Sequence, residues 1–452
     1  MKRMMSQLLS LGVPLAIGFI SQMAISFTDA VLVARIGSTE LAGTTLALSL
    51  FSLVMLMGIG VITAVSPKVA ENHRAEKLTE THIWYVQGVW LSLILGAVGV
   101  GILANTGWLL RFLGLSEELA LVAQQYNNGA ALGMPFFFFY VNTRSLMSAV
   151  GNPKPLTWIM IAAIPVNVVI GLVAIFGFAS IPGMGVFGAG LSSTLIRILI
   201  AIASVTILLK GAKFRHLKPE NASFQIDWIR IVELLKIGSP IGIRIVAGEG
   251  VLPLISFFIA SYGIEATAAH AVGLRTVSLI SVFALGFSSA ATTISAWTRA
   301  QSDWQSLYSL RLSLVIIAIA YVFLVGSTMA LNFEFIQKSV FALNSEATIS
   351  MLWGLLPLIL LTFLFDTISS MFNGYLVGLE DTYLPTVVIT TTYWGVGLGL
   401  GLVLSRSTSI GFFGFWVSLV VSHVIVTAFN YFRAGMHIRL LRAHCRDDEQ
   451  MY

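Results

Sequence analysis

Residues 8–37 read LLSLGVPLAIGFISQMAISFTDAVLVARIG, and residues 234–263 read LLKIGSPIGIRIVAGEGVLPLISFFIASYG. Set 226 residues apart without a gap, they align Leu8-Leu9 with Leu234-Leu235, Gly12 with Gly238 and Pro14 with Pro240. Ile17, Ala34 and Gly37 likewise return as Ile243, Ala260 and Gly263, and further on Gly60 and Ala64 return as Gly286 and Ala290. Gly171, Gly185, Phe187-Gly188 and Ser192 recur at the same shift as Gly397, Gly411, Phe413-Gly414 and Ser418. Solenoid repeats have periods of roughly 20–50 residues, far shorter than this. Two long, apolar, homologous halves predict an internally duplicated membrane protein, the design typical of transporters.

The chain is 57% apolar and 10% charged, whereas a soluble domain carries about 25% charged residues. Apolar runs long enough to cross a ~30 Å hydrocarbon layer fall at 8–35, 44–66, 83–110, 122–150, 154–178, 186–210, 230–262, 267–297, 308–332, 348–378, 384–406 and 410–433. Lipid offers no partner to an open backbone group, so such runs form helices. The short alternating segments of a membrane barrel are missing. The expected fold is an all-α polytopic membrane protein of twelve transmembrane helices.

The stretch Gly211 to Ile229 is the most polar internal segment and includes Pro219. It predicts an N-terminal six-helix lobe over 1–210, a cytoplasmic linker over 211–229, a C-terminal six-helix lobe over 230–433 and a cytoplasmic tail over 434–452. With six spans each, both lobes enter the membrane from the same side. A pseudo-twofold axis along the membrane normal then relates them, with a cleft that rocking would open to each side in turn. Alternating loop assignment places Lys2, Arg3, Lys68, Arg74, Lys154, Lys213, Arg215, Lys218, Arg299, Arg433 and Arg446 on one side. Only Arg35, Arg111, Lys338 and Arg406 fall on the other. The positive-inside rule puts both termini in the cytoplasm of a cell inner (plasma) membrane protein. The net charge of +5 is thus a topology signal, and no nucleic-acid partner is expected. A single cysteine, Cys445, excludes an intramolecular disulfide. The first apolar run belongs to the repeat and reads as a span, not a removed leader.

Acidic groups inside spans locate the chemistry. A charge at the bilayer centre costs about 2.5–3.5 kcal/mol on insertion scales, so one that persists there faces a cavity or a partner. Asp29, Glu249 and Asp366 stand deep in spans one, seven and ten. Each is readable as a helix-packing group held by hydroxyls, bases or water, or as a carrier of a proton or cation. A desolvated carboxylate takes a proton near neutral pH, and two carboxylates with neighbouring oxygens suit a hard cation such as Na⁺. Glu249 and Asp366 are the candidates for such a Na⁺ site, and no other metal site is expected. At the repeat spacing Asp29 faces Ile255 and Glu249 faces Met23, so the acids are not duplicated with the scaffold.

Polar companions are Gln22, Tyr140, Asn142 and Asn167 in the first lobe, and Thr367, Asn373, Tyr375 and Tyr393 in the second. Each also suits an ordinary interhelical hydrogen bond. Arg197, Arg244 and Arg275 are readable as snorkelling or as paired with an acid. Pro14 and Pro240 are repeat partners inside spans and are the candidate hinges. No nucleotide-binding or catalytic signature appears, so neither an enzyme nor a cofactor is expected.

Several motifs, in order, resemble a known family across nearly the whole chain. They are Gly12-Val13-Pro14 with Asp29; Asn167 followed by Gly177 and Gly185-Val186-Phe187-Gly188-Ala189; Ala268-Ala269-His270; and Gly374-Tyr375-Leu376 with Asp381-Thr382 and Pro385. The chain resembles the multidrug and toxic compound extrusion (MATE) transporters, and Glu249 with Asp366 resembles the acid pair of their NorM-like branch. That resemblance implies antiport: organic, mostly cationic compounds leave as H⁺ or Na⁺ enters. It assigns Glu249 and Asp366 to cation coupling, Asp29 to protonation or drug coupling, and Asn167 to a supporting role in a chain expected to be monomeric. The sequence departs from the family at Gly171, where relatives often carry Asn or Asp, and at Ala189, a small polar position in relatives. The competing reading is a lipid-linked oligosaccharide flippase of the same superfamily, which would line its cleft with cationic groups for pyrophosphate.

Overall fold

The computed structural model describes residues 1–179, 181–211, 224–335 and 345–450, and of residues 30, 38, 181, 441 and 443–450 the backbone alone. Linker positions 212–223, with Lys213, Arg215 and Lys218, lie outside the described residues, as do Lys338 and the side chains of Cys445 and Arg446.

Among the described residues, eleven helices are long and apolar enough to cross a bilayer: Lys2–Ala34, Thr39–Arg74, Leu78–Leu103, Lys154–Phe176, Gly185–Lys210, Trp228–Ala260, Ile264–Ala300, Trp304–Leu331, Glu346–Gly378, Tyr383–Ser407 and Phe413–Leu440. The remaining span, expected over 122–150, is present in two pieces. Glu117–Ala130 and Met134–Ala149 are joined by a tight 3-10 turn at Ala131–Gly133. Pro135 opens the second piece; it has no N–H for the preceding turn, and its ring crowds the carbonyl four residues back. All twelve spans are therefore in place, and the fold is an all-α polytopic membrane protein. A two-residue hairpin pairs Gly177–Phe178 with Ile181–Pro182 between the fifth and sixth spans.

The eleventh span changes its winding. Thr392–Leu400 is a π-helix set between α-helical Tyr383–Thr391 and Gly401–Ser407. Gly395, Gly397 and Gly399 leave that stretch with few side chains to crowd the wider turn.

Large apolar side chains point outward, among them Phe323 and Phe257, 76% and 74% exposed. In hydrocarbon such faces cost nothing, and close helix approach through small residues supplies the packing instead.

The chain forms two compact units. One comprises Ile17–Gly242, the other Met1–Ala16 with Ile243–Tyr452. They are called here the N-terminal and C-terminal units. The first and seventh helices are each divided between them, at Ala16/Ile17 and at Gly242/Ile243, and these two points are again 226 residues apart. Within the N-terminal unit, Gly60 lies against the Gly242 backbone and Gly238 against the Val61 backbone. Within the C-terminal unit, Gly286 lies against the Ala16 backbone and Gly12 against the Phe287 ring. These are the same two contacts moved along by one repeat. Added side chains at Gly60 or Gly286 would overlap backbone atoms, so the glycines are what allow the crossings. The C-terminal unit buries two apolar clusters, one around Leu8, Phe287, Leu314 and Phe372, the other around Ile255, Ile359, Phe415 and Trp416.

Candidate functional site

In the N-terminal unit Asp29 is 6% exposed. Its Oδ1 accepts from Asn167 Nδ2 of the fifth span at 2.8 Å, and its Oδ2 accepts from Ser193 Oγ of the sixth span at 2.8 Å. Tyr126 OH lies 3.4 Å from the Ser193 hydroxyl. Both oxygens are thus held by neutral donors, and among the described residues no Lys, Arg or His forms a salt bridge with Asp29. Arg197 is near enough to act on it electrostatically, while its guanidinium covers the Phe51 ring at 4.4 Å.

Asp29, Gln22, Tyr140, Ser193 and Arg197 line one cavity of about 40 Å³ together with Phe137 and other apolar side chains. A cavity of this size has room for about two or three waters. Of the lining residues, Gln22 Oε1 and Arg197 Nη1 are buried without hydrogen-bond partners, so polar atoms are available to hold them. Asn142 is placed elsewhere: its amide donates to the Tyr85 carbonyl at 3.2 Å, and Gly88 makes room for it. Arg144, buried at 8% exposure, lies over the Phe19 and Tyr140 rings at 4.3 and 5.7 Å.

In the C-terminal unit Asp366 is half-buried. Its Oδ2 accepts from Ser281 Oγ at 2.6 Å, and its Oδ1 lies 3.8 Å from His423 Nε2. His423 Nδ1 is 2.7 Å from the Leu419 carbonyl; a carbonyl only accepts, so this nitrogen carries a proton. Tyr393, on the π-helix, packs its ring 5.1 Å from that of His423 and lies within electrostatic reach of Asp366, Arg244 and Glu249. Glu249 is exposed and senses the charge of Asp366. The widened eleventh helix reaches back to this turn of the seventh, where Trp394 Nε1 donates to the Ala247 carbonyl at 3.1 Å.

Asn373 accepts from Arg244 Nη1 at 3.4 Å and from Asn430 Nδ2 at 3.0 Å. Tyr375 is in the apolar core beside Phe372 with its hydroxyl unpartnered, and the buried Thr367 hydroxyl is also unpartnered. Tyr393 and Asp366 therefore meet at His423, with Glu249 within electrostatic range of both; Asn373 belongs to a neighbouring network, and Tyr375 belongs to the core. Pro14 and Pro240 sit two residues before the points where their helices pass from one unit to the other.

Sequence reasoning missed Ser193 and Tyr126 on the first acid, and Ser281 and His423 on the third. One signal was available. At the repeat spacing Tyr140 corresponds to Asp366, Asn167 to Tyr393, and Arg197 to His423. The two sites occupy one scaffold address, filled with different chemistry.

A family model described as MatE matches residues 14–173 and again 241–403, once in each half. A protein of Bradyrhizobium diazoefficiens named as probable multidrug resistance protein NorM is 27% identical over 435 residues, covering 96% of this chain and 93% of its own. A Rhodopseudomonas palustris protein of the same name is 28% identical, covering 93% of this chain and 89% of its own. Among solved structures, a eukaryotic MATE transporter superposes with a TM-score of 0.84 at 15% identity, over 98% of this chain and 99% of that one. The outward-facing conformation of a multidrug resistance MATE family transporter gives 0.84 at 19% identity, over 97% of each chain.

Proposed function

This chain belongs to the MatE family, and from that membership we propose that it is a secondary active multidrug exporter. It moves organic, mostly cationic compounds outward by alternating access of its two lobes, driven by inward movement of H⁺ or Na⁺. The observation that carries the coupling is the placement of Glu249 and Asp366 together in one unit, beside Tyr393, Ser281 and His423. Two acids that sense each other's charge resist being ionised together without a counter-ion. A bound proton or Na⁺ relieves that repulsion, and so does a cationic cargo, which makes the two mutually exclusive.

Asp29 is the second coupling candidate. Its neutral donors hold the carboxylate in place without cancelling its charge, so protonation and release stay open to it. Gln22, Tyr140 and Asn167 support that site, Asn373 and Tyr393 the other, and Pro14 with Pro240 act as hinges. The protein works as a monomer in the cell inner membrane with both termini in the cytoplasm.

A tenfold ion gradient supplies about 1.4 kcal/mol per ion, and 100 mV adds about 2.3 kcal/mol per net charge moved. One monovalent ion exchanged for one monocation is electroneutral and uses the first term alone. Everted vesicles given a fluorescent organic cation in the outside medium, with Na⁺ alone or protons alone concentrated in the lumen, identify the ion by which gradient drives uptake. Glu249→Gln and Asp366→Asn are each expected to lower gradient-driven efflux at least about tenfold while the protein remains inserted at wild-type levels. Efflux at wild-type rate in both variants would refute the coupling assignment.

A further inference from the structure

The ninth and twelfth spans exchange cations and rings along one seam of the C-terminal unit. Trp304 opens the ninth span, and Arg442 of the twelfth helix lies over its ring at 4.9 Å. Seven residues on, about 10 Å along the ninth helix, Arg311 lies over the Tyr431 ring of the twelfth at 3.6 Å. Gly435 makes room for it, since a side chain there would overlap Arg311 Nη1. Tyr308, 49% exposed, lies on the same face of the ninth helix between the two pairs. Met4, Leu307 and Ile438 share one apolar cluster, so the seam lies at the end of the unit where the first helix starts. Arg442 stands just past Leu440, where the membrane-crossing part of the twelfth helix ends.

Among the described residues no acid pairs with either arginine. Asp381 is taken by Arg433 and His437, Glu380 by Arg299, and Asp303 by the backbone of Ser306. An aromatic ring covers the face of a guanidinium and leaves the N–H groups of its edge free to donate. Nor does the scaffold require these pairs. At the repeat spacing Trp304, Arg311, Tyr431 and Gly435 correspond to Leu78, Tyr85, Val205 and Leu209. Ile316, Ile319 and Phe432 of the same two helices are exposed, as faces covered by hydrocarbon would be. We propose that Arg311 and Arg442 bracket the phosphate of an anionic phospholipid, with Tyr308 between them and the acyl chains over Ile316, Ile319 and Phe432. The lipid belongs to the leaflet in which the first helix starts. A guanidinium meets a phosphate through parallel N–H···O bonds, and a headgroup of net negative charge adds an attraction that a zwitterionic one lacks. The proposal needs only that the chain spans a membrane, and it goes beyond the transport reading.

Phosphatidylglycerol and phosphatidylcholine with matched acyl chains, titrated into the full chain purified in nonionic detergent, make the comparison, with bound lipid counted by native mass spectrometry. The wild-type protein is expected to bind phosphatidylglycerol the more tightly, and a protein without that preference overturns the proposal. Arg311→Gln combined with Arg442→Gln is expected to weaken phosphatidylglycerol binding at least about tenfold and to leave phosphatidylcholine binding unchanged. Lys154→Gln removes an exposed charge from the start of the fifth span and is expected to change neither. An equal loss in that variant would make the effect one of general surface charge and overturn the site. Displacement of the lipid by excess inorganic phosphate would assign the site to a free anion and overturn the lipid assignment. Should the double variant fail to fold, Arg442→Gln decides, because that side chain is exposed; a loss of about fivefold is expected, and no loss overturns the proposal. No ion gradient enters the measurement, so it stands or falls apart from the transport reading.

Discussion

Ser192 and Ser193 are neighbours on one helix, and their hydroxyls go different ways. Ser192 donates to the Ala189 carbonyl of its own helix at 2.8 Å, whereas Ser193 crosses to Asp29. Most hydroxyls within helices take the first course, so nothing in the sequence marks Ser193 or Ser281 as an acid's partner. The acids themselves were legible, because an ionisable group in an apolar run is costly. Ser193, one turn beyond Ala189, supplies a polar contact of the kind that Ala189 and Gly171 lack. Outside the spans, Asp381 accepts from Arg433 Nε at 2.6 Å and from His437 Nε2 at 2.7 Å. Burial pushes this carboxyl up, but the hydrogen bonds and charges of His437 and Arg433 outweigh it and hold it below the usual range. A depressed acid stabilises the fold above its unfolded value of about 4, and that stabilisation is lost as pH falls through the folded value. Asp381→Asn is therefore expected to lower the unfolding temperature at neutral pH. The gap to wild type should close as pH falls below about 4; a gap constant across that range would refute the assignment.

At the scale of elements, the twelve spans were legible because hydropathy alone sets them. The break at Ala131–Gly133 was foreshadowed by Pro135. The π-helix at Thr392–Leu400 was not, since alternating glycines look alike in any helical winding. Gly60 and Gly286 make a sharper case, because each meets the backbone of a helix that begins in the other half of the sequence. Overpacking a tight site costs roughly 1–3 kcal/mol, and here the obstacle is backbone, which cannot step aside. Gly60→Leu and Gly286→Leu are each expected to lower the melting temperature in detergent. Gly18→Leu, at a position with open space around it, should not. Equal melting temperatures for all three would contradict the crossings.

At the scale of the whole molecule, one scaffold has been used twice with different chemistry. The spans of the N-terminal unit carry Asp29 with Arg144 and Arg197, and those of the C-terminal unit carry Glu249 and Asp366 with Arg244. The repeat was legible in the sequence. The points where the first and seventh helices change unit were not, because a continuous apolar helix gives no sign of which partner each part of it packs on. Cutting the chain between residues 212 and 223 leaves one fragment with Met1–Ala16 and another with Trp228–Gly242. Each of those arms packs within the unit built mainly from the other fragment. Co-expressed, the two fragments are expected to co-purify and restore efflux, while either alone is degraded. Independent accumulation of one fragment in a folded state would refute this.

The exchanged arms also bear on descent. A half-length chain of this design would offer its leading arm to a second copy, the arrangement of a swapped homodimer. Joining two such chains into one leaves the copies able to differ, as Tyr140 and Asp366 do.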